Sequence, residues 1–334
     1  LMNAEQSAEV LKTGMYNGIT FPFPLILSPN GKTNENILLS AERGEYLNLI
    51  CDNEIVGELC VDEVFPIDPT ERLRQIYGTA DLTHPGVSAT HKRLGNHAVC
   101  GEYTIDTSAI EAIHTQIKEA QEHTLSKQTT AIFMAANPLH RAHERLIRQS
   151  LENSDLVVIF LLKPYNTKDL DYDLRYEVLD FFVKNYLPHG RVLIAPLESS
   201  YLFAGNNEVI LDAIVAKNYG CHRLKIGQNH AGIGMYYDQN TNKTIADHLI
   251  GLDIDISIVS EYVYCNLCKT LVSVQTCPHG HHHHISYNAE SILELMKQGL
   301  LPPAVLVRKE ISAMIVSSLY PHRFKNLAKL YYNI

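Results

Sequence analysis

Two histidines three residues apart, His140 and His143, stand where an apolar run turns polar in AIFMAANPLHRAHERLI, residues 131–147. The apolar run predicts a strand, and the polar part predicts the first turn of a helix. Free backbone N–H groups and the helix dipole favour an anion at such a junction, and side chains at i and i+3 share one helix face. Asn137 adds a neutral donor just before them. The pattern indicates a phosphate site, and the alternative that one histidine caps the helix and the other is solvated stays equally open.

A second small turn follows an apolar strand in KIGQNHAGIG, residues 225–234. Gly227 and Gly232 would let the backbone approach a ligand closely, and His230 adds a donor. The alternative is a tight strand-to-helix turn with an incidental histidine. The chain has no GxxxxGK[ST] phosphate loop, which disfavours a kinase of the Walker type.

The third pattern is a cysteine cluster, CNLCKTLVSVQTCPHGHHHH. Cys265, Cys268, Cys277 and His281 have the C-x2-C-x8-C-x3-H spacing of a tetrahedral Cys3His zinc site, and closed sites of this kind are structural. The alternative is a set of free buried cysteines beside a solvated histidine run. Four further histidines compete for the fourth position, which spacing alone gives to His281: they are His279, His282, His283 and His284.

The elements that position these residues follow from the hydrophobic pattern. Apolar strand candidates alternate with helical stretches after residue 129, which predicts a parallel α/β sheet covered on both faces, with ligands at the carboxyl ends of its strands. The strand candidates are 130–136, 156–162, 191–197, 223–227 and 255–260, and the clearest helices are 143–154, 174–186 and 206–220. We expect a β-rich domain at 1–125, the α/β domain at 126–262 and a small domain at 263–334.

Composition sets limits on the class of protein. The chain has 334 residues, 46% of them hydrophobic, and a formal net charge of −9. That charge argues against a nucleic-acid partner, and no apolar stretch reaches the roughly 18 residues of a membrane span. The first residues lack the pattern of a signal peptide. We therefore expect a cytoplasmic protein that binds neither nucleic acid nor membrane.

NPLHRAHE and the GxxHAGxG turn together resemble the ATP sulfurylase, or sulfate adenylyltransferase, family. Stretches at 77–87, 204–221, 276–280 and 302–311 agree in order along the chain. The resemblance implies a PUA-like amino-terminal domain, a Rossmann-like nucleotidyltransferase domain and a small carboxyl-terminal domain, with zinc at the cysteines as in some bacterial members. It also implies a reaction of ATP and sulfate, with Mg²⁺, to adenosine 5′-phosphosulfate and pyrophosphate.

The resemblance further assigns roles to residues. His140 and His143 would hold the β- and α-phosphates, and Asn137 would help to orient them. The turn formed by Gly227, Asn229, His230, Ala231 and Gly232 would carry the adenosine. We expect a homodimer that binds ATP and a small oxyanion.

The chain departs from the family pattern around the anion. Where the family reads Gln-Thr-Arg-Asn-Pro, this chain has Met134, Ala135 and Ala136 before Asn137, and Gln228 and Asn229 replace Arg-Asp in the second turn. Leu202 takes the place of a third arginine, and SYNAES at 286–291 replaces SGTKxR. The nucleotide histidines are kept, while the arginines of the anion site are absent.

Three interpretations stay open at this point. The chain is a working ATP sulfurylase with a rebuilt anion site, an adenylyltransferase for another and less charged acceptor, or a catalytically silent paralogue that binds nucleotide or partners a true sulfurylase. Burying a sulfate dianion without cationic partners leaves a large desolvation cost uncompensated. We therefore expect an impaired sulfate site.

Overall fold

The protein is described from a computed structural model that covers residues 1–164, 168–228, 230–231, 236 and 249–322. The chain divides into two compact units. The first comprises Leu1–His114, Tyr201–Val215 and Asn229–Asp253, and the second comprises Thr115–Ser200, Ala216–Gln228 and Ile254–Ile334. The three-domain division at residues 125 and 262 stays a prediction.

The described part of the first unit contains six strands. They are β1 (Met15–Tyr16), β2 (Ile19–Thr20), β3 (Leu27–Pro29), β4 (Tyr46–Cys51), β5 (Glu54–Pro66) and β6 (Leu94–Ile105). The last four form an antiparallel sheet in the order β3-β6-β5-β4, and β1 pairs with β2. The two-residue hairpin between β4 and β5 uses Asp52 and Asn53, both with positive φ, as a tight hairpin turn requires.

Four short helices accompany these strands. They are α1 (Ala4–Thr13), α2 (Lys32–Ser40), α3 (Pro69–Tyr77) and α4 (Pro85–His91). Their ends carry strong local signals: Asp68 accepts from the first free N–H groups of α3, Pro69 begins that helix, and Gly78 ends it in the left-handed conformation. The sequence pattern predicted strands and turns in this region but none of these helices.

The second unit is built on a five-stranded parallel sheet. Its strands are β7 (Thr129–Met134), β8 (Leu156–Leu162), β9 (Val192–Leu197), β10 (Arg223–Gly227) and β11 (Asp255–Val259). They lie in the order β11-β10-β7-β8-β9. The chain order reverses direction between β7 and β10, so these two strands flank the switch point at which such sheets bind ligands.

Six further helices complete the described chain. They are α5 (Ser108–His123), α6 (Arg141–Leu151), α7 (Tyr172–Tyr186), α8 (Asn206–Asn218), α9 (Ala289–Lys297) and α10 (Lys309–Leu319). The main core of the second unit joins buried side chains of β7, β8, α6, α7, α9 and α10. Within the described ranges, no helix is both long and apolar enough to cross a membrane.

A small antiparallel sheet lies between β11 and α9 along the chain. Its strands are β12 (Tyr262–Cys265), β13 (Thr270–Ser273) and β14 (His284–Ser286), in the order β13-β12-β14. A 3-10 turn at His281–His283 leads into β14. The sequence predicted a metal knuckle here but not the sheet that frames it.

Candidate functional site

The two histidines of the first motif lie at the carboxyl end of β7. His140 is the residue before α6, with an extended backbone, and His143 stands in the first turn of that helix. Their imidazole rings stack, with centroids 3.7 Å apart and planes 14° apart. His140 is buried, 6% exposed. The structure therefore brings the two predicted phosphate ligands side by side at the switch point of the sheet.

Both imidazoles are neutral at pH 7. Burial lowers the pKa of His143 to about 4, and burial and the neighbouring His143 lower the pKa of His140 well below its ordinary value. The backbone N–H of His140 donates to Nδ1 of His143 at 3.4 Å. A neutral imidazole that accepts at Nδ1 carries its proton on Nε2, so His143 keeps a donor for a ligand. Nδ1 of His140 is buried without a hydrogen-bond partner among the described residues.

Asn137 forms hydrogen bonds through both polar atoms of its side-chain amide. Its Nδ2 donates to Asp169 Oδ1 at 2.7 Å, and its Oδ1 accepts from the Leu170 backbone N–H at 3.0 Å. The amide thus ties the loop after β7 to the segment before α7. Its predicted role as a phosphate donor stays a prediction, and the structure adds a positioning role.

Burial explains why the residues that lead from β7 to the histidines, 134–136, have no polar side chains. Met134 and Ala136 are both 2% exposed and belong to the main core of the second unit. Arg175 of α7 is 1% exposed; its Nη1 donates to the Ala135 carbonyl and its Nε to the Leu170 carbonyl at 3.0 Å. The apolar side chains at 134 and 136 therefore pack inward, and a buried guanidinium holds the backbone between them.

The second turn begins at the neighbouring strand. Gly227 ends β10, and a Cβ added there would meet no described atom within 4 Å. Gln228 is half-buried and its backbone N–H donates to the Val259 carbonyl at 2.9 Å. The open space at Gly227 fits the predicted close approach of a ligand. Asn229 and Gly232, which the sequence analysis also assigned to the nucleotide, lie outside the described residues.

His230 and Ala231 belong to the first unit, where the histidine side chain faces a carboxylate. His230 Nε2 lies 2.6 Å from Asp212 Oδ2, and the two residues are 9% and 8% exposed. Burial alone would lower the pKa of His230, but the hydrogen bond and charge of Asp212 raise it overall. Ala231 has φ +53°, and its carbonyl accepts from the Gly205 N–H at 3.3 Å. In this structure the ring of His230 anchors the turn through Asp212.

The metal-binding pattern forms one compact cluster. The ligand atoms of Cys265, Cys268, Cys277 and His279 lie within 4.8 Å of one another. His279 Nδ1 is 3.4, 3.3 and 3.5 Å from the three sulfurs in that order, and the sulfurs of Cys268 and Cys277 are 3.9 Å apart. A zinc ion about 2.3 Å from tetrahedral thiolates has ligand edges of about 3.8 Å. The residues fit the group in number, type and spacing.

The histidine that lies in this cluster differs from the one that spacing favours, and His281 as the fourth ligand stays a prediction. His279, two residues after Cys277, is the histidine that the structure places with the three cysteines, while His281 lies in the following 3-10 turn. Chain spacing does not determine how a Pro-His-Gly segment folds back on a knuckle. His284 also reaches the cluster, with Nε2 3.3 Å from the Cys277 sulfur.

Thiol ionisation gives a second test of the metal assignment. Burial would raise the pKa of the Cys265 thiol, but backbone N–H groups of Cys268 and Leu267 bring it down to about 6. Burial and the neighbouring sulfurs raise the pKa of Cys268 to about 11. Thiols this close do not all ionise unless a cation compensates their negative charges. A bound zinc ion would supply that positive charge.

Sequence reasoning missed the residues that hold these loops in place. Asp169 and Arg175 act on the first loop and Asp212 on the second, and each lies far along the chain from the residue it contacts. For Asp212 a signal was present: acidic residues recur four apart, as Glu208 and Asp212, on one side of the otherwise apolar stretch NNEVILDAIVA. Acids at such positions indicate buried polar contacts.

Comparison with known proteins gives the wider relationship. Residues 110–318 match the sequence model of the ATP-sulfurylase family, and residues 1–107 match that of the PUA-like domain. A sulfate adenylyltransferase of Chloroflexus aurantiacus is 30% identical over 307 residues, which cover 90% of this chain and 79% of that protein. Another, from Psychrobacter arcticus, is 31% identical over 313 residues, or 90% and 74% of the two chains.

A solved structure agrees in fold. The hexameric APS kinase from Thiobacillus denitrificans superposes with a TM-score of 0.66 at 16% identity, over 94% of this chain and 57% of that one. At this identity the likeness concerns the fold alone. Together with the parallel sheet and its histidine pair, the matches define the protein as a nucleotidyltransferase with a PUA-like amino-terminal domain. The chain belongs to the ATP-sulfurylase family.

Proposed function

We propose that this protein transfers the adenylyl group of MgATP to sulfate, forming adenosine 5′-phosphosulfate and releasing pyrophosphate. The observation that carries the proposal is the stacked, neutral pair of His140 and His143 at the carboxyl end of β7. Membership of the family, and relatives that are named sulfate adenylyltransferase, support the same reaction.

The chemistry requires positioning more than proton transfer. A sulfate oxygen attacks the α-phosphorus, a new P–O bond forms, and the bond from the α-phosphorus to the bridging oxygen of pyrophosphate breaks. Sulfate is already deprotonated, so no general base is needed. His143 donates its Nε2 proton in a hydrogen bond to the triphosphate, and His140 binds beside it. These fixed donors, with the Mg²⁺ that accompanies ATP, stabilise the charge that builds on the leaving pyrophosphate.

The residues present support binding of the acceptor less well than binding of the nucleotide. Met134 and Ala136 pack in the core, and Leu202 packs against the apolar cluster around Tyr77, so none of them offers a donor. Two unit charges about 4 Å apart near a protein surface interact by roughly 4 kcal/mol. Each arginine that is absent relative to the family pattern removes an attraction of about that size, and Gln228 is neutral. We therefore propose that sulfate is used slowly.

The absent arginines also favour a second candidate, transfer of the adenylyl group to a less charged acceptor. A neutral or singly charged acceptor needs less cationic compensation than a dianion, and the arginines of the family pattern are absent at 136, 202 and 228. A protein that binds ATP without turnover is the third interpretation, and the test below separates it from the other two.

The deciding experiment measures pyrophosphate release from MgATP with sulfate, with other oxyanions and with no added acceptor, alongside calorimetric binding of ATP. Release that depends on sulfate and disappears in the His143→Ala variant is the expected result. Release with another acceptor only would replace sulfate by that acceptor. ATP binding without release in any sample would overturn the enzymatic proposal.

We propose that zinc occupies the cluster of Cys265, Cys268, Cys277 and His279 and joins β12 to the turn before β14. When bound, zinc supplies the cross-link that a small sheet with little core otherwise lacks. The three cysteines and the histidine hold it, and the N–H of Cys268, 3.4 Å from the Cys265 sulfur, supports the thiolate. Such a closed site stabilises the fold and takes no part in the chemistry.

The assembly is proposed as a homodimer, as the family resemblance implies. Light scattering should give about twice the 37.6 kDa of one chain. A mass of one chain, or of a larger ring, would replace this proposal.

A further inference from the structure

Helix α8 carries two buried carboxylates one turn apart, Glu208 and Asp212, which are 4% and 8% exposed. Neither faces a lysine or arginine in the contacts described for it. Each instead contacts a different segment of the first unit, and both segments belong to motifs that the family resemblance assigned to the substrates. Burial raises the pKa of Glu208 to about 7 and also raises that of Asp212, and the hydrogen bonds to their oxygens offset part of the cost of burying the two groups.

Glu208 holds the segment from Tyr201 to Gly205. Its Oε1 accepts from the Leu202 N–H at 2.9 Å and its Oε2 from the Ala204 N–H at 3.1 Å. Between these two anchors Phe203 has φ +62°, a left-handed conformation that is costly for a residue with a side chain. The carboxylate therefore fixes a strained backbone turn at Leu202, the position where the family pattern has an anion-binding arginine.

A second motif supports the same turn from the other side. His84 of the HPGV sequence is fully buried and hydrogen-bonds the backbone of Phe203. At Gly86 an added Cβ would lie 2.0 Å from the Leu202 carbonyl oxygen, so only glycine allows α4 to approach this closely. The turn is thus held by hydrogen bonds and by close packing, as a strained functional segment requires.

Asp212 holds the other segment. Its Oδ2 lies 2.6 Å from His230 Nε2, and Ala231, the next residue, has φ +53°. The Tyr201 and His230 rings form a T-shaped contact, with centroids 5.8 Å apart. The Gly205 N–H donates to the Ala231 carbonyl at 3.3 Å and joins the two segments directly.

We propose that Glu208 and Asp212 are positioning residues of the adenylyl-transfer site, Glu208 fixing the acceptor-side turn at 201–205 and Asp212 the nucleotide turn at 230–231. The inference rests on the proposed function for the roles of the two turns. One helix then sets both turns, because the acids are four residues apart on the same face. Both residues would act through the turns that they contact.

The test compares Asp212→Ala and Glu208→Ala with the milder Asp212→Asn and Glu208→Gln, each of which keeps one acceptor. Asp212→Ala should weaken ATP binding, measured by calorimetry, by about tenfold or more, because the anchoring bond to a charged group is lost. Asp212→Asn should recover part of the affinity. Glu208→Ala should leave the Kd for ATP within about twofold and raise the KM for sulfate or lower kcat.

The first unit offers a matched control. Glu35 and His97 form another carboxylate–imidazole pair at 2.6 Å, on α2 and β6. Glu35→Ala should remove an equivalent bond and leave the Kd for ATP unchanged. Equal effects of Glu35→Ala and Asp212→Ala on ATP binding would reduce Asp212 to a general stabilising residue and overturn the inference.

Amide hydrogen exchange makes the test independent of turnover and of folding losses. In Glu208→Gln the Leu202 and Ala204 amides should exchange faster, and in Asp212→Asn the amides at 230–231 should do so, with the core strands unchanged. Unaltered exchange at these amides would overturn the inference. A wild type that binds ATP but never uses sulfate would overturn the proposed acceptor and leave the Asp212 result standing. A wild type that does not bind ATP would overturn the proposed function, and exchange alone would then decide the inference.

Discussion

Glu144 and Arg308 form a buried ion pair, with Oε2 of the glutamate 2.8 Å from Nη2 of the arginine and side chains 5% and 17% exposed. Glu144 also accepts from Arg141 at 3.2 Å, and the Arg308 guanidinium lies 3.9 Å from the centre of the Tyr186 ring. The pair joins the first turn of α6 to the residue that precedes α10. It therefore fixes the end of the helix that carries His143.

Replacing Glu144 with alanine should destabilise the protein strongly. Removing one partner of a buried pair leaves the other charge buried and uncompensated, which costs about 3–5 kcal/mol. The matched control is Glu152→Ala at the end of the same helix, since Glu152 and Arg145 form an exposed pair at 4.0 Å. An exposed pair contributes about 0–1 kcal/mol. Urea unfolding measures both, and similar losses in the two variants would contradict the assignment of Glu144 as structural.

The histidine pair should carry ATP binding. Replacing both His140 and His143 with alanine should raise the Kd for ATP at least about tenfold, because hydrogen bonds to charged groups are worth about 1.5–3 kcal/mol each. His189→Ala provides the control, since His189 is exposed after α7. Calorimetry that finds the same affinity in the double variant and the wild type would remove the pair from the nucleotide site.

The same histidines predict how stability depends on pH. Burial lowers the pKa of His143 to about 4 and lowers that of His140, so between these values and about 6.5 the unfolded chain binds more protons than the folded one. The free energy of unfolding should therefore fall as the pH drops from 6.5 towards 4, by up to about 1.4 kcal/mol per pH unit for each histidine. The double variant with glutamine at both positions should show a flatter curve in denaturant titrations. Parallel curves for the two proteins would show that the rings are not buried neutral groups.

Metal content should follow the cluster that the structure shows. Protein purified without a nickel column should contain about one zinc per chain, as a closed structural site requires. His279→Ala should lose the metal and His281→Ala should keep it, with Cys51→Ser as a control because Cys51 is an exposed free thiol. Loss of zinc in the His281 variant alone would restore the ligand chosen from spacing.

Arginine should not be equally well tolerated at the different positions where the family pattern has it. Ala136 is 2% exposed with φ +49°, so Ala136→Arg buries a charge and should cost several kcal/mol of stability, about 3 or more. Gln228 is half-buried, and Gln228→Arg should be tolerated and should raise sulfate-dependent pyrophosphate release about tenfold for each 1.4 kcal/mol gained. The opposite ranking, with a stable and more active Ala136→Arg, would show that position 136 opens to the anion. Thermal unfolding and pyrophosphate release measure the two effects.

The parallel sheet was predictable because its strands are apolar throughout. The predicted strands at 156–162 and 223–227 coincide with β8 and β10, and the others agree within a few residues. The short helices of the first unit were not predictable in the same way. A helix such as α3 has nine residues, too few for hydrophobic periodicity to outweigh the strand-like pattern around it.

The candidate site likewise contains residues that were predictable from the sequence and residues that were not. The residues that define it, His140, His143 and the cysteines, could be found from local spacing alone. Their partners could not, because Arg175 reaches Ala135 across 40 positions and Asp212 reaches His230 across 18. Local spacing did not single out His279, which the conformation of a short turn places beside the three sulfurs.

Strand β10 adds to the sheet beside β7, with Arg223 opposite Thr130. The two strands that flank the switch point therefore come from chain segments that are synthesised about ninety residues apart, on the two sides of β8 and β9. Pairing between strands so far apart along the chain is slow, because the entropy cost of closing a long loop must be met before the stabilising contacts form. A nascent chain released before β10 would hold a complete histidine motif and still have no crevice in which to place a nucleotide.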